Sequence, residues 1–421
     1  MGNKTVLTFL LKLVSAGLSL AMLVITSQLI GTEGRGYVSL FQTTVQIAVI
    51  IGGVIGGPAL NLVLNPQSSK QLLIKTLLVC YGWSVVAAIL TIMISIFQRE
   101  ILTDRLSLLY LACVVSSIVS VNVVYLLGNG RLLLHSYINI ISVGLTCLFF
   151  LGGALWHEPS TDTFILGFTC ANLGCLAYTW FLIWKFYRCG VSDQYKNIGM
   201  GEIFVNILAK GFTAQVNGLL LFFIFRMGFY VIGYLGDASS LGIYSTAVLL
   251  CDSIWILAGA LATVTYSRAL THKTDKTLIG DIMRYIKIST VFGVLSVAVL
   301  NSLPLTVYVK VFGSDFSRIK DFILPLSPGI IGASILTILI HYYTARGRYT
   351  LCFQILLAAF FTSLVGCALL IPPLGSPAAG FASSAGAMLA ALSLLVVFQR
   401  EHKVRLREFF GFTDLMKRNL R

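Results

Sequence analysis

The chain has 421 residues, of which 57% are hydrophobic and 11% charged, and its mean hydropathy is +0.89. A water-soluble domain carries about 25% charged residues, so that class is excluded. The formal charge of +14 then concerns membrane orientation and anionic lipid rather than nucleic acid.

Hydropathy predicts twelve spanning helices in chain order, at about 5–30, 37–64, 72–96, 105–127, 132–156, 163–184, 202–235, 240–268, 285–310, 322–344, 349–371 and 376–398. The runs are unbroken and lack the residue-by-residue alternation of an outer-membrane barrel. The fold class expected is therefore an all-α polytopic membrane protein. The first run is too long for a cleaved leader and reads as a span. It carries Lys12, Ser15, Ser19 and Thr26 on one face. The second holds Gln42 and Gln46 on one face, then Gly52, Gly53, Gly56 and Gly57 before Pro58. Such glycines suit close helix contact and a hinge. The seventh carries Asn206, Lys210, Thr213 and Asn217 at i, i+4, i+7 and i+11, one helical face, with Arg226 deeper in the span. Asp252 lies inside the eighth, and His341 in the tenth shares a face with Ser334, Thr337 and Thr344. The basic tail from Arg400 interleaves Phe409, Phe410 and Phe412, which suits either the inner leaflet or solvent. The nine cysteines show no metal or redox spacing and read as small core residues.

Placing the N-terminus in the cytoplasm puts about 22 Lys and Arg on that side against about 6 on the other, Arg35 of the first turn among the latter. Both termini are therefore expected to be cytoplasmic. Six spans per half permit a parallel repeat about an axis along the membrane normal. Leu29-Ile30-Gly31 with Gly36-Tyr37-Val38-Ser39 resembles Tyr234-Leu235-Gly236 with Gly242-Ile243-Tyr244-Ser245, and Asn129-Gly130-Arg131 resembles Arg346-Gly347-Arg348. The organisation expected is a six-helix lobe over 1–200, a second over 201–398, and the tail 399–421.

The turn Leu29-Ile30-Gly31-Thr32-Glu33-Gly34-Arg35-Gly36-Tyr37, the stretch from Arg226 through Gly233-Tyr234-Leu235-Gly236 to Ser245, and the turn Pro372-Pro373-Leu374-Gly375 before a small-residue helix resemble the multidrug/oligosaccharidyl-lipid/polysaccharide exporter superfamily. Within it the chain is most similar to the bacterial polysaccharide repeat-unit (Wzx-type, O-antigen) flippases. The resemblance implies two six-helix lobes around a central cavity in the bacterial inner membrane. It also implies export of an undecaprenyl-pyrophosphate-linked oligosaccharide for surface polysaccharide such as lipopolysaccharide O-antigen. Relatives often carry an acid two positions after the arginine of the seventh span; here Gly228 stands there.

A charge inside a span costs roughly 2.5–3.5 kcal/mol on insertion scales and needs a reason. Lys12, Asn206, Lys210, Asn217 and Arg226 are the candidate substrate-contacting residues of a basic cavity. Against this, the lysines could snorkel to the headgroups, and Arg226 could pair structurally with Asp252. Arginine suits phosphate through its bidentate fork. Asp252 and His341 are the candidates for ion coupling, although packing explains His341 more simply. H⁺ or Na⁺, membrane lipids and a polysaccharide polymerase are candidate partners; no nucleic acid, metal or cofactor is expected. No phosphate-cradling loop or hydrolase motif appears, and the outer loops are too short for a catalytic domain, so a transporter is expected rather than an enzyme. The alternative is a cation-coupled drug or organic-cation antiporter of the same superfamily, whose cavity should be acidic.

Overall fold

The computed structural model describes residues 2–57, 59–64, 70–95, 105–129, 131–156, 158–187, 199–235, 237–271 and 276–403. Pro58, Gly130, Gly236, most of the 185–201 loop, the tail beyond residue 403 and the side chains of Lys12 and Lys210 lie outside the described residues. All regular structure described is helical. The order is α1 (Gly2–Gly56), α2 (Leu60–Val63), α3 (Lys70–Ser95), α4 (Leu106–Gly128), α5 (Leu132–Trp156), α6 (Thr161–Tyr187) and α7 (Met200–Tyr234). There follow α8 (Ala238–Asp252), α9 (Trp255–Thr271), α10 (Lys276–Ser302), α11 (Leu305–Phe312), a 3₁₀ turn (Ser314–Arg318), α12 (Ile319–Ala345), α13 (Tyr349–Leu374) and α14 (Ala378–His402).

Among the described residues, ten helices are long and apolar enough to cross a membrane, or eleven if the pair α8–α9, bent by 46°, forms one broken span. The chain is a multi-pass membrane protein. α1 holds two spans, because Gly31 interrupts it at φ 67°, ψ −171°, a conformation only glycine adopts without strain. Counting the two arms of α1 and the bent pair α8–α9 as one span each would give the number expected from hydropathy. The eighth predicted span differs from expectation: it is broken at Ser253-Ile254. Ser253 Oγ donates to the Leu250 carbonyl at 2.5 Å and Ile254 N–H to the Cys251 carbonyl at 3.1 Å. These bonds satisfy carbonyls that the bend frees.

Side chains follow the order expected in lipid. Large apolar residues such as Leu148, Met93 and Leu369 point outward, whereas Ser84, Asn122, Thr179, Ser363 and Ser383 are buried. Close packing rests on small residues. Gly52 and Gly56 of α1 meet Ser117 and Val121 of α4, and Gly386 of α14 meets Ser363 of α13.

Two compact units emerge. One comprises Met1–Leu219, Phe229–Ser245 and Val309–Ser317; the other comprises Leu220–Gly228, Thr246–Tyr308 and Arg318–Arg421. α7, α8 and α11 each contribute residues to both units. In the first, α1 packs on α3, α4 and α5, and α6 packs on α4 and α5. In the second, α12 packs on α9, α10 and α14, and α13 packs on α14.

The repeat traces acquire a structural counterpart. Asn129 N–H bonds the Tyr125 carbonyl and Arg131 N–H the Leu126 carbonyl; Arg346 N–H bonds the Tyr342 carbonyl and Arg348 N–H the Tyr343 carbonyl. The α4–α5 and α12–α13 turns thus close in the same way. Gly347 sits at φ +73°, as the left-handed residue of a Schellman cap should.

Candidate functional site

Two constructions stand out, one in each unit. The first joins the second arm of α1, after Gly31, to the start of α8. A methyl group on Gly36 would lie 2.2 Å from the Ala238 carbonyl oxygen, and one on Gly242 would lie 1.8 Å from that of Thr32. The contact is reciprocal, since Gly36 corresponds to Gly242 as Thr32 does to Ala238. At the same offset of 206 residues, Ser39 Oγ donates to Ser245 Oγ at 2.7 Å. Thr32 and Ser239 share a hydroxyl hydrogen bond of 2.8 Å, and Thr44 and Tyr230 one of 3.2 Å. Backbones approach this closely only where both sides lack a Cβ. The seam is a local two-fold contact with polar groups satisfied across it.

The second construction is an intramembrane ion pair. Arg226 of α7 donates from Nη2 to Asp252 Oδ2, with side chains 15% and 24% exposed. Asp252 ends α8 at the break, and Phe225 stacks edge-on against Trp255 across it at 4.5 Å between centroids. Asp252 Oδ1 and Trp255 Nε1 are buried without a hydrogen-bond partner among the described residues. Beside them is a cavity of ≈ 10 Å³ reaching Gly329, Ser383 and Ser384, room for about one water. Its wall contains a second irregularity. α12 carries Pro325 and Pro328, and the Ser384 hydroxyl accepts from Gly329 N–H at 3.0 Å while donating to the Pro325 carbonyl at 2.6 Å. A serine of α14 thereby bridges two groups that one turn of helix would otherwise join directly.

Of the residues singled out from sequence, the structure brings Arg226 and Asp252 together. Asn206 is exposed and Asn217 buried, so the polar face of α7 passes from surface to interior along its length. Lys12 and Lys210 have helical backbones, α1 and α7 respectively, but their side chains are not described. His341 is half-buried; its Nδ1 lies 2.8 Å from the Thr337 carbonyl and its ring stands edge-on to Tyr266 at 6.3 Å. These contacts place it in packing within the second unit, apart from the Asp252 cavity lining. Among the described residues, no group of three or more His, Cys, Asp or Glu could hold a metal.

Sequence reasoning missed the seam serines, Ser384 and, above all, Arg35. Arg35 counted as an outer-loop charge, yet it is 3% exposed. The signal available was its place between Gly34 and Gly36, at the very turn where two helices had to approach.

No family model and no curated protein matches the chain in sequence. Solved structures do match in fold. A multidrug-resistance MATE family transporter of the MOP superfamily, in an inward-facing conformation, superposes with a TM-score of 0.69 at 13% identity, over 94% of each chain. The lipid II flippase MurJ, in an inward closed conformation, gives 0.70 at 14%, over 96% of this chain and 89% of that one. The MATE multidrug transporter DinF-BH, solved as a complex, gives 0.67 at 14%, over 97% and 96%. The chain thus shares its fold with these proteins, which are transporters and a flippase rather than enzymes.

Proposed function

We propose that the chain flips an undecaprenyl-pyrophosphate-linked oligosaccharide across the bacterial inner membrane for surface polysaccharide assembly, with both termini in the cytoplasm. The observation that carries the reading is the state of Asp252. It is the one acid in the middle of a described span, and Arg226 already holds it. An organic-cation antiporter needs a carboxylate ready to receive a cation; here the excess of intramembrane charge is positive, with Lys12, Lys210 and Arg35 in addition to the pair. Positive charge suits pyrophosphate, whose oxygens need charge-assisted donors when they leave water. The fold neighbours include a lipid flippase and drug transporters and so leave both substrate classes in play.

In this reading Lys12, Asn206, Lys210, Asn217 and Arg226 contact the substrate. The small cavity at Asp252 accepts a proton or Na⁺, a role that competes with Arg226 for the carboxylate. His341 serves packing first, and its second ring nitrogen is the group through which it would take part in proton transfer. The test is a deletion strain lacking any second flippase. Surface glycan should be lost while lipid-linked repeat units accumulate on the cytoplasmic face. Normal surface glycan together with lost resistance to cationic drugs would refute the reading and establish the antiporter.

A further inference from the structure

The least expected side chain in the molecule is Arg35. It is almost wholly removed from solvent, at 3% exposure, and no carboxylate lies within ion-pair distance of it among the described residues. Its Nε has no hydrogen-bond partner among them, and its Nη1 makes one long contact, 3.4 Å to Thr26 Oγ1. Thr26 is itself committed to the carbonyls of Met22 and Leu23, at 2.8 and 3.0 Å. The adjoining core of Met22, Val38, Phe150 and Phe164 is apolar. A guanidinium cannot shed its proton in a protein, and burying it without a counter-charge is strongly unfavourable. Such a group persists where another state of the protein supplies the missing anion.

Position indicates the kind of anion. Arg35 lies in the first turn of the arm that restarts after Gly31, an end whose helix dipole favours negative charge; Asp315 Oδ2, 3.4 Å from where a Gly31 Cβ would be, already stands at that end. Gln42, Gln46 and Gly53 follow it at i+7, i+11 and i+18, all on one helical face. Gln42 is half-buried and Gln46 exposed, and the amide of Gln215 stands 3.2 Å from where a Gly53 Cβ would be. A polar track therefore runs about 16 Å along α1 from Gln46 to Arg35. The residue after Arg35 is Gly36, which forms the seam with α8.

We infer that Arg35 is a phosphate-class anion site at the end of this track, covered while the α1–α8 seam is closed and occupied when the seam parts. Its identification with the pyrophosphate of a lipid-linked glycan rests on the flippase reading; the anion site itself does not. A planar guanidinium fork provides two parallel donors, an arrangement that phosphate oxygens accept well.

The experiment uses the full chain in nanodiscs, with inorganic pyrophosphate and undecaprenyl pyrophosphate as probes and undecaprenol as the uncharged control. Binding and melting temperature are measured for the parent, Arg35→Lys, Arg35→Gln and Arg35→Met. Both pyrophosphates should bind the parent at least tenfold more tightly than Arg35→Gln, with Arg35→Lys intermediate and undecaprenol unchanged throughout. Without ligand, Arg35→Met should melt several degrees above the parent, because it removes an uncompensated buried charge; a structural arginine would give the opposite shift. Equal pyrophosphate binding by parent and Arg35→Gln would overturn the inference and leave the flippase reading standing. Binding of inorganic pyrophosphate through Arg35, without preference for the lipid pyrophosphate over undecaprenol, would uphold the anion site and remove its link to a lipid-linked substrate. A parent that binds neither pyrophosphate, or an Arg35→Met protein that melts lower, would also overturn the inference.

Discussion

Gly242→Ala should part the seam between α1 and α8. The added methyl group would lie 1.8 Å from the Thr32 carbonyl oxygen, 2.7 Å from its carbon and 3.1 Å from Gly36 N. All three are backbone atoms, so no rotamer change relieves the clash. Ordinary contact begins at 3.4 Å, so the two helices must separate by roughly 1.5 Å locally, and overpacking of this kind costs about 1–3 kcal/mol. At about 2 kcal/mol the equilibrium between closed and parted seam moves about 30-fold, given about 1.4 kcal/mol per factor of ten. Ser39→Cys with Ser245→Cys reports the closed state, because the hydroxyls they replace are 2.7 Å apart. In a background free of other cysteines, Gly242→Ala should slow disulfide formation at that pair by about 10–30-fold. Gly36→Ala should do the same, since its methyl group would meet the Ala238 carbonyl oxygen at 2.2 Å. Gly218→Ala, with nothing within 4 Å, is the control and should cross-link as the parent does. Unchanged cross-linking in Gly242→Ala would refute the reasoning.

Three further outcomes follow from the geometry. Arg226→Ala should destabilise by about 3 kcal/mol, by leaving Asp252 without its partner, and Arg226→Ala with Asp252→Ala should recover most of the protein level. If export also returns in the double variant, measured as surface glycan, Arg226 does not contact substrate. Ser384→Ala should lower thermal stability by about 1–3 kcal/mol, because its hydroxyl serves both Gly329 N–H and the Pro325 carbonyl; a neutral effect would mean that the helix rejoins those groups itself. Reporter fusions at Arg421 and in the 185–201 loop should both read cytoplasmic, and a signal from the opposite side at either would reverse the orientation drawn from the Lys and Arg distribution.

Much of the architecture was legible because lipid imposes one rule on every span: its backbone must be satisfied within the helix. Hydropathy therefore located the helices, and Gly31, between Ile30 and Thr32-Glu33-Gly34, marked the first break. The break after Asp252 was not legible, since no Gly or Pro stands between Cys251 and Leu257. It accompanies tertiary contacts, the Arg226 pair and the Phe225–Trp255 stack, that local propensity does not encode. Arg226 and Asp252 could be matched in advance because both lie in one predicted hairpin and their depths are countable. Arg35 was misplaced for the converse reason. A charged residue in a short glycine-rich turn is ordinarily solvated, whereas here the turn packs closely, Gly36 against Ala238 of α8, and Arg35 is buried. Ser384 was invisible because its partners, an amide and a carbonyl near two prolines on another helix, carry no side-chain signature.

The 206-residue register across the seam bears on the history of the chain. When Gly36 meets the surroundings of Gly242 as Gly242 meets those of Gly36, and a serine faces its own counterpart, the contact has the form two identical half-length subunits make about a dyad. A gene for one such half would have encoded both sides of the interface at once, so a single glycine substitution would have relieved two clashes. Fusion of two such halves would end that coupling. Thr32 now faces Ser239, whereas the matching positions Ala238 and Glu33 hold no second hydroxyl pair. The two faces of such a joint would then be free to diverge, each able to acquire a side chain, such as Arg35, that its counterpart position, Leu241, lacks.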